Sequence, residues 1–227
     1  MNYYEVIVTV LLKENLNLNQ VGEKQGDVLK ESMKNSEILS KLHQGNHIKL
    51  YCYDYLYPRE EDKVYKKDRI YCFKLRTPVK LTAYEFSKKL NGFENDNFKV
   101  ISNQLKQKTF HLKSELYTTT PAICTLGKKY WKLEEGLDVI EEKIEVNLVT
   151  KYKAFYNENP PIEKGFISYI NIKNNKPITM KYKGGSLFGN KFLIGFSSDD
   201  ISEKMAFLAY TTSILEKSSS LGSGFCI

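Results

Sequence analysis

The chain has 227 residues, 41% hydrophobic and 27% charged, with 13 glycines and 6 prolines, which is enough to bury two small cores and leaves little room for disordered linkers. Lys and Arg number 34 against 27 Asp and Glu, a formal +7 that favours a polyanionic partner. Cys52, Cys72, Cys124 and Cys226 are at least twenty residues apart with no C-x-x-C, which argues against a zinc site or disulfides and for buried thiols in a reducing, cytoplasmic setting; no apolar run approaches a membrane span and no secretory leader is visible.

Residues 3–12 are dense in β-branched and aromatic side chains and predict a strand, ended by Lys13-Glu14-Asn15. From Asp27, the apolar positions Val28, Leu29, Met33, Ile38, Leu39 and Leu42 recur mostly at three or four residues, predicting a helix that ends at His43 before a Gly45-Asn46 turn. Residues 48–57 predict a second strand stopped by Pro58. Its hairpin partner is expected at 69–76, a short helix at 82–90 and a fourth strand from 98. The order is βαββαβ.

The pattern then repeats. Strand-like segments fill 110–125, and Gly127-Lys128-Lys129 is a basic turn. Leu133, Leu137, Ile140, Ile144, Leu148, Tyr152 and Phe155 recur at helical spacing up to Pro160-Pro161. Strands are expected at 165–173 and 178–183 around Asn174-Asn175, then at 191–196. Asp200 with Glu203 has the spacing of a capping box and opens a helix to about 217, before a closing strand at 222–227. The expected class is α+β, two tandem ferredoxin-like (RRM-like) units spanning 1–108 and 109–227.

Two stretches carry chemistry. Leu42 to Tyr53 holds two of the three histidines, His43 and His47, with Lys49 six residues after His43 and Tyr51 beyond it. Imidazole moves protons near neutral pH and an ammonium balances phosphate charge; a helix-end histidine is also an ordinary cap. Near the C-terminus, Lys217, Ser218, Ser219, Gly222 and Gly224 lie in a Ser/Gly-rich loop whose N–H groups, hydroxyls and cation suit phosphate oxygens, although such composition is also that of a flexible tail. The 16 tyrosines and 12 phenylalanines offer faces for base stacking or simply a core. His111 carries no assigned role, and Glu134-Glu135 and Glu141-Glu142 fit a solvated helix face. No spacing asks for a metal, and no cofactor is expected.

Taken together, Gln25-Gly26 opening the first helix, Leu42-His43 at its end, Lys49-Leu50-Tyr51-Cys52-Tyr53, the 116–125 and 183–195 regions and Glu216-Lys217 to Gly224 resemble the CRISPR precursor-RNA endoribonucleases of the RAMP superfamily. The resemblance implies metal-independent cleavage of CRISPR repeat RNA by the ribose 2′-OH, giving a 2′,3′-cyclic phosphate and a 5′-OH. It implies His43 as the acid/base, with His47 the alternative, and Lys49 as the catalytic lysine, with 217–224 on the RNA. Some members carry a tyrosine in the first helix where this chain has Val28-Leu29-Lys30, leaving the third role to a group such as Tyr51 or Tyr53; the loop opens on Ser213-Ile214-Leu215 in place of Gly-x-Gly. Expected partners are the repeat RNA and other interference-complex subunits, with the protein a monomer or homodimer. A non-catalytic RAMP-type RNA-binding subunit is the alternative.

Overall fold

The computed structural model describes residues 1–34, 36–44, 48–111, 114–162 and 165–227, for 43 and 44 the backbone alone. The first half runs β1 (Asn2–Leu12), β2 (Leu16–Asn17), α1 (Leu18–Met33), α2 (Glu37–Gln44), β3 (Cys52–Tyr53), β4 (Val64–Tyr65), β5 (Ile70–Thr77), α3 (Lys80–Leu90) and β6 (Phe98–Thr109). Strand β1 is central, antiparallel to β5 and β6, in a sheet ordered β3-β5-β1-β6. Its alternation puts Val6, Val8, Val10 and Leu12 inward against Val21, Val28 and Leu29 of α1 and Phe86 of α3.

The second half runs β7 (Glu115–Tyr117), β8 (Thr125–Leu126), β9 (Lys129–Tyr130), α4 (Leu137–Tyr156), β10 (Ile167–Ile172), β11 (Ile178–Tyr182), β12 (Gly185–Gly189), β13 (Phe192–Phe196), α5 (Asp200–Thr212) and α6 (Ser218–Leu221). Its sheet is ordered β10-β13-β7, and the C-terminus adds a fourth position, since Tyr117 and Ile227 exchange N–H···O bonds of 3.0 and 2.9 Å. Both halves therefore have the α+β ferredoxin-like strand order, the second with the β11-β12 hairpin inserted. A second core gathers Ile140, Ile144 and Leu148 of α4 with Phe207 and Leu208 of α5.

Several local expectations need correction. The first helix starts at Leu18, because Asn17 precedes it and Gln20 Oε1 accepts the Asn17 N–H at 3.3 Å. It is two helices: Ser36 restarts the chain, its carbonyl accepting the Ser40 N–H (2.8 Å) and its hydroxyl oxygen the Leu39 N–H (3.3 Å), a side-chain cap that apolar spacing does not reveal. The 48–57 segment is strand only at Cys52–Tyr53; upstream, the hydroxyl of Thr77 donates to the Leu50 carbonyl (2.6 Å) in place of a ladder bond. Residues 167–172 and 178–182 are not partners, since β10 pairs with β13 and β11 with β12. The cap of α5 is Asp199, whose Oδ1 accepts the Ser202 N–H at 2.9 Å. Of the four free cysteines, Cys72 is only partly buried.

Helix α5 ends at Thr212 and does not reach 217, because Ser213, Leu215 and Lys217 have φ of 70°, 60° and 61°. Buried Lys151 of α4 donates to the Thr212 and Ser213 carbonyls at 3.1 and 2.6 Å, satisfying acceptors that a helix end leaves open. The two halves are tied by Arg76 of β5. Its guanidinium bonds Glu5 (3.0 Å) and the Cys226 carbonyl (2.7 Å) and lies 4.0 and 4.3 Å from the ring centroids of Tyr210 and Phe225. Among the described residues no helix is long and apolar enough to cross a membrane.

Candidate functional site

Helix α1 carries Gly22 and Gly26 one turn apart, and there the helix meets α6: a Cβ at Gly22 would overlap the Leu221 carbonyl oxygen, and one at Gly26 the Ser220 carbonyl oxygen. Small residues at i and i+4 let two backbones touch. The tyrosines of β3 and the residues before it brace the same contact, Tyr53 Oη donating to the Gly22 carbonyl at 2.8 Å and Tyr51 Oη to the Ser219 carbonyl at 3.4 Å. Burial pushes both phenols up, so they stay protonated donors.

The chain reaches α6 through a tightly held segment. Asn147 Oδ1 accepts the Leu215 N–H (3.0 Å), the Ile123 carbonyl accepts the Glu216 N–H (3.1 Å), and Glu216 Oε1 takes the N–H and hydroxyl of Thr125 at 2.7 and 2.6 Å. The Ser/Gly-rich tail is thus ordered, with one helical turn at Ser218–Leu221. Gly222 and Gly224 have φ of 61° and 67°. A Cβ on Gly222 would come 2.6 Å from the Tyr53 carbonyl oxygen, and one on Gly224 would overlap that of Ile214. These glycines serve close backbone packing.

Between α1, the segment before β3, the β11-β12 tip and α6 lies a cleft of about 460 Å³. It is lined by Lys30, Lys49, Lys183 and Lys217, by the carboxylates Glu23 and Asp27, and by Tyr182, Ser219 and Ser220 among others. Four lysines against two carboxylates leave a formal +2. Glu23 Oε1 accepts the Lys183 N–H at 2.6 Å and so fixes the hairpin tip over α1. The ammonium groups of Lys183 and Lys217 stand 5.4 and 5.5 Å from the Tyr182 ring centroid, cation–π range. Burial, and then the Lys30 charge, hold Lys49 below the usual lysine range; burial, and then Glu23, raise Asp27. The net positive charge and partial desolvation of this cleft suit an anion.

Of the residues singled out by sequence, the structure brings Lys49, Tyr51, Lys217 and Ser219 to this one cleft; Ser218, Gly222 and Gly224 are not on its wall. Tyr51 is 2% exposed and faces the loop. Lys49 precedes β3 and is not itself on a strand. His43 lies in the last turn of α2; its imidazole and all of His47 lie outside the described residues. Lys30, Asp27, Tyr182 and Lys183 were missed. The spacing of Gly22 and Gly26 was the available signal for the α1 members, since it marks the helix face that something approaches. Among the described residues no three His, Cys, Asp or Glu side chains gather as a metal site would need.

No family model matches the chain. Over 142 residues, 60% of this chain and 58% of the relative's length, it is 27% identical to CRISPR-associated endoribonuclease Cas6 2 of Methanocaldococcus jannaschii. A solved RAMP protein binding different RNA substrates superposes with a TM-score of 0.72 at 15% identity over 98% of both chains. A Cas6-related protein from Pyrococcus furiosus superposes with a TM-score of 0.72 at 16% identity over 99% of this chain and 98% of that one. In sequence over part of its length and in fold over nearly all of it, the chain is similar to the CRISPR RNA-processing proteins of the RAMP type that its own motifs resemble.

Proposed function

We propose that the chain is an endoribonuclease that cuts CRISPR precursor RNA within the repeat, built as units 1–108 and 109–227, and retains the guide RNA for an interference complex. The observation that carries this reading is the convergence of Lys49 with Lys217 and Ser219, from distant parts of the chain, on one cleft of net positive charge. The similarity to a Cas6 endoribonuclease supports it.

In the proposed reaction the ribose 2′-OH attacks the adjacent phosphorus and the 5′-oxygen leaves, giving a 2′,3′-cyclic phosphate and a 5′-OH. The nucleophile belongs to the substrate, so the protein supplies proton transfer and charge stabilisation, and no metal is required. His43 moves the proton, with His47 the alternative, and the Lys49 ammonium balances charge on the phosphorane. Tyr51 holds the α6 segment in place through Ser219.

The test is single-turnover cleavage of repeat RNA in EDTA. Wild type cuts, a 2′-deoxy substitution at the scissile ribose blocks the reaction, and His43→Ala slows it by about 10² to 10⁴ while binding persists. Cleavage of the deoxy substrate, or arrest by EDTA, overturns the mechanism; a normal His43→Ala with a dead His47→Ala moves the proton carrier to His47. The second reading, an RNA-binding subunit without cleavage, is favoured by the fold shared with a RAMP protein binding different RNA substrates. Tight repeat binding with no product from wild type would select it.

A further inference from the structure

Lys30 lies one helical turn beyond Gly26, on the α1 face turned to the cleft, and lines it with Lys49. The two side chains arrive from separate elements, α1 and the segment that follows α2, so their approach is a product of the fold and not of neighbouring positions in the chain. Lys49 is about half-buried and feels the Lys30 charge. Two ammonium groups on the wall of one cleft suit an anion that contacts both. Around the pair stand Glu23, whose carboxylate is held by the Lys183 N–H, together with Asp27, Tyr51, Tyr182, Lys183 and Lys217.

We propose that Lys30 is a second phosphate-binding cation of this site, sharing the scissile phosphate with Lys49. The proposal rests on the endoribonuclease reading above. In that reaction the bond from the 2′-oxygen to phosphorus forms and the bond from phosphorus to the 5′-oxygen breaks. The 2′-hydroxyl proton passes to the base, and a proton is returned to the departing 5′-oxygen. The phosphodiester carries one negative charge and the pentacoordinate phosphorane two. One ammonium matches the ground state; a second at the same phosphorus is worth more to the phosphorane than to the substrate, which is what raises a rate and not merely an affinity.

A plainer role is available, since Lys30 is in the last turn of α1, where a cation complements the helix dipole. The experiment separates the two. Lys30 is exposed and glutamine is a good helix former, so Lys30→Gln should fold, with a melting temperature close to wild type. Single-turnover cleavage of repeat RNA at saturating enzyme is expected to fall about 10- to 100-fold in Lys30→Gln, the scale of losing one charge-stabilising contact in a transition state. Affinity for the 2′-deoxy repeat RNA should fall no more than about threefold, and Lys30→Arg should recover most of the rate. Cleavage by Lys30→Gln within twofold of wild type overturns the proposal. So does an equal loss in rate and binding, or a loss that Lys30→Arg shares in full. A wild type that cuts no repeat RNA overturns the endoribonuclease reading and this inference with it, whereas a wild type that cuts beside an unimpaired Lys30→Gln removes Lys30 alone.

Discussion

Gly26 of α1 and Ser220 of α6 meet backbone to backbone, with no room for a side chain between the Gly26 Cα and the Ser220 carbonyl oxygen; a Cβ there would also stand 2.8 Å from Tyr53 Oη. This contact joins the two ends of the chain and sets how far Lys217 and Ser219 stand from Lys30 and Lys49. A branched side chain at position 26 must push α6 away, at a cost of about 1–3 kcal/mol. Gly26→Val is expected to lower the melting temperature and to weaken repeat RNA binding; a variant that keeps both would show that the cleft tolerates a displaced α6.

Asp27 faces the same cleft as the four lysines, and its carboxylate opposes any phosphate bound there. Asp27→Asn should tighten repeat RNA binding by about three- to tenfold at low salt, with the difference narrowing as salt screens it. Titrations at two salt concentrations test this. Weaker binding, or lost cleavage with unchanged binding, would give Asp27 a positive part in the chemistry.

Binding itself should depend steeply on salt. If the surface neutralises about five to seven phosphates, log K should fall against log salt with a slope of about −3.5 to −5, at roughly 0.7 per phosphate for a single strand. Replacing Lys217 by Ala should reduce the steepness by about 0.7. A slope near zero would argue against an RNA-tracking surface.

Asp54, next to β3, bears on stability. Its Oδ1 accepts the Lys74 N–H at 2.6 Å, but burial outweighs that bond and raises the carboxyl to about 6 from 3.8. Between those values the folded state holds the proton more tightly than the unfolded chain, so this group's stabilisation is present below pH 3.8 and is lost as pH rises through 6. Asparagine keeps the acceptor without the ionisation. Asp54→Asn should therefore be more stable than wild type at pH 7.5, by about 1–3 kcal/mol, with the advantage vanishing near pH 4. Urea unfolding at the two pH values checks it, and an unchanged difference would remove Asp54 as the cause.

Local sequence marked β1 by its β-branched and aromatic density and most of α4 by apolar residues at helical spacing, and it placed β5, α3 and β6 in the expected order. The repeated βαββαβ order, the α+β class and the positive balance that suits a polyanion were likewise legible in the residues. Tertiary structure decided what local spacing does not encode. The break at Ser36 depends on a side-chain cap, the β10-β13 pairing, which skips the local β11-β12 hairpin, on contacts that close only in three dimensions, and the end of α5 on non-glycine residues at positive φ in a segment held by Asn147, Ile123 and Lys151. Lys49 and Lys217 could be given a role from their surroundings in the chain, whereas Lys30 and Lys183 stood out only as members of longer stretches. They line the cleft because two glycines on α1 and a carboxylate at Glu23 bring a helix, a loop and a hairpin tip together from different parts of the sequence.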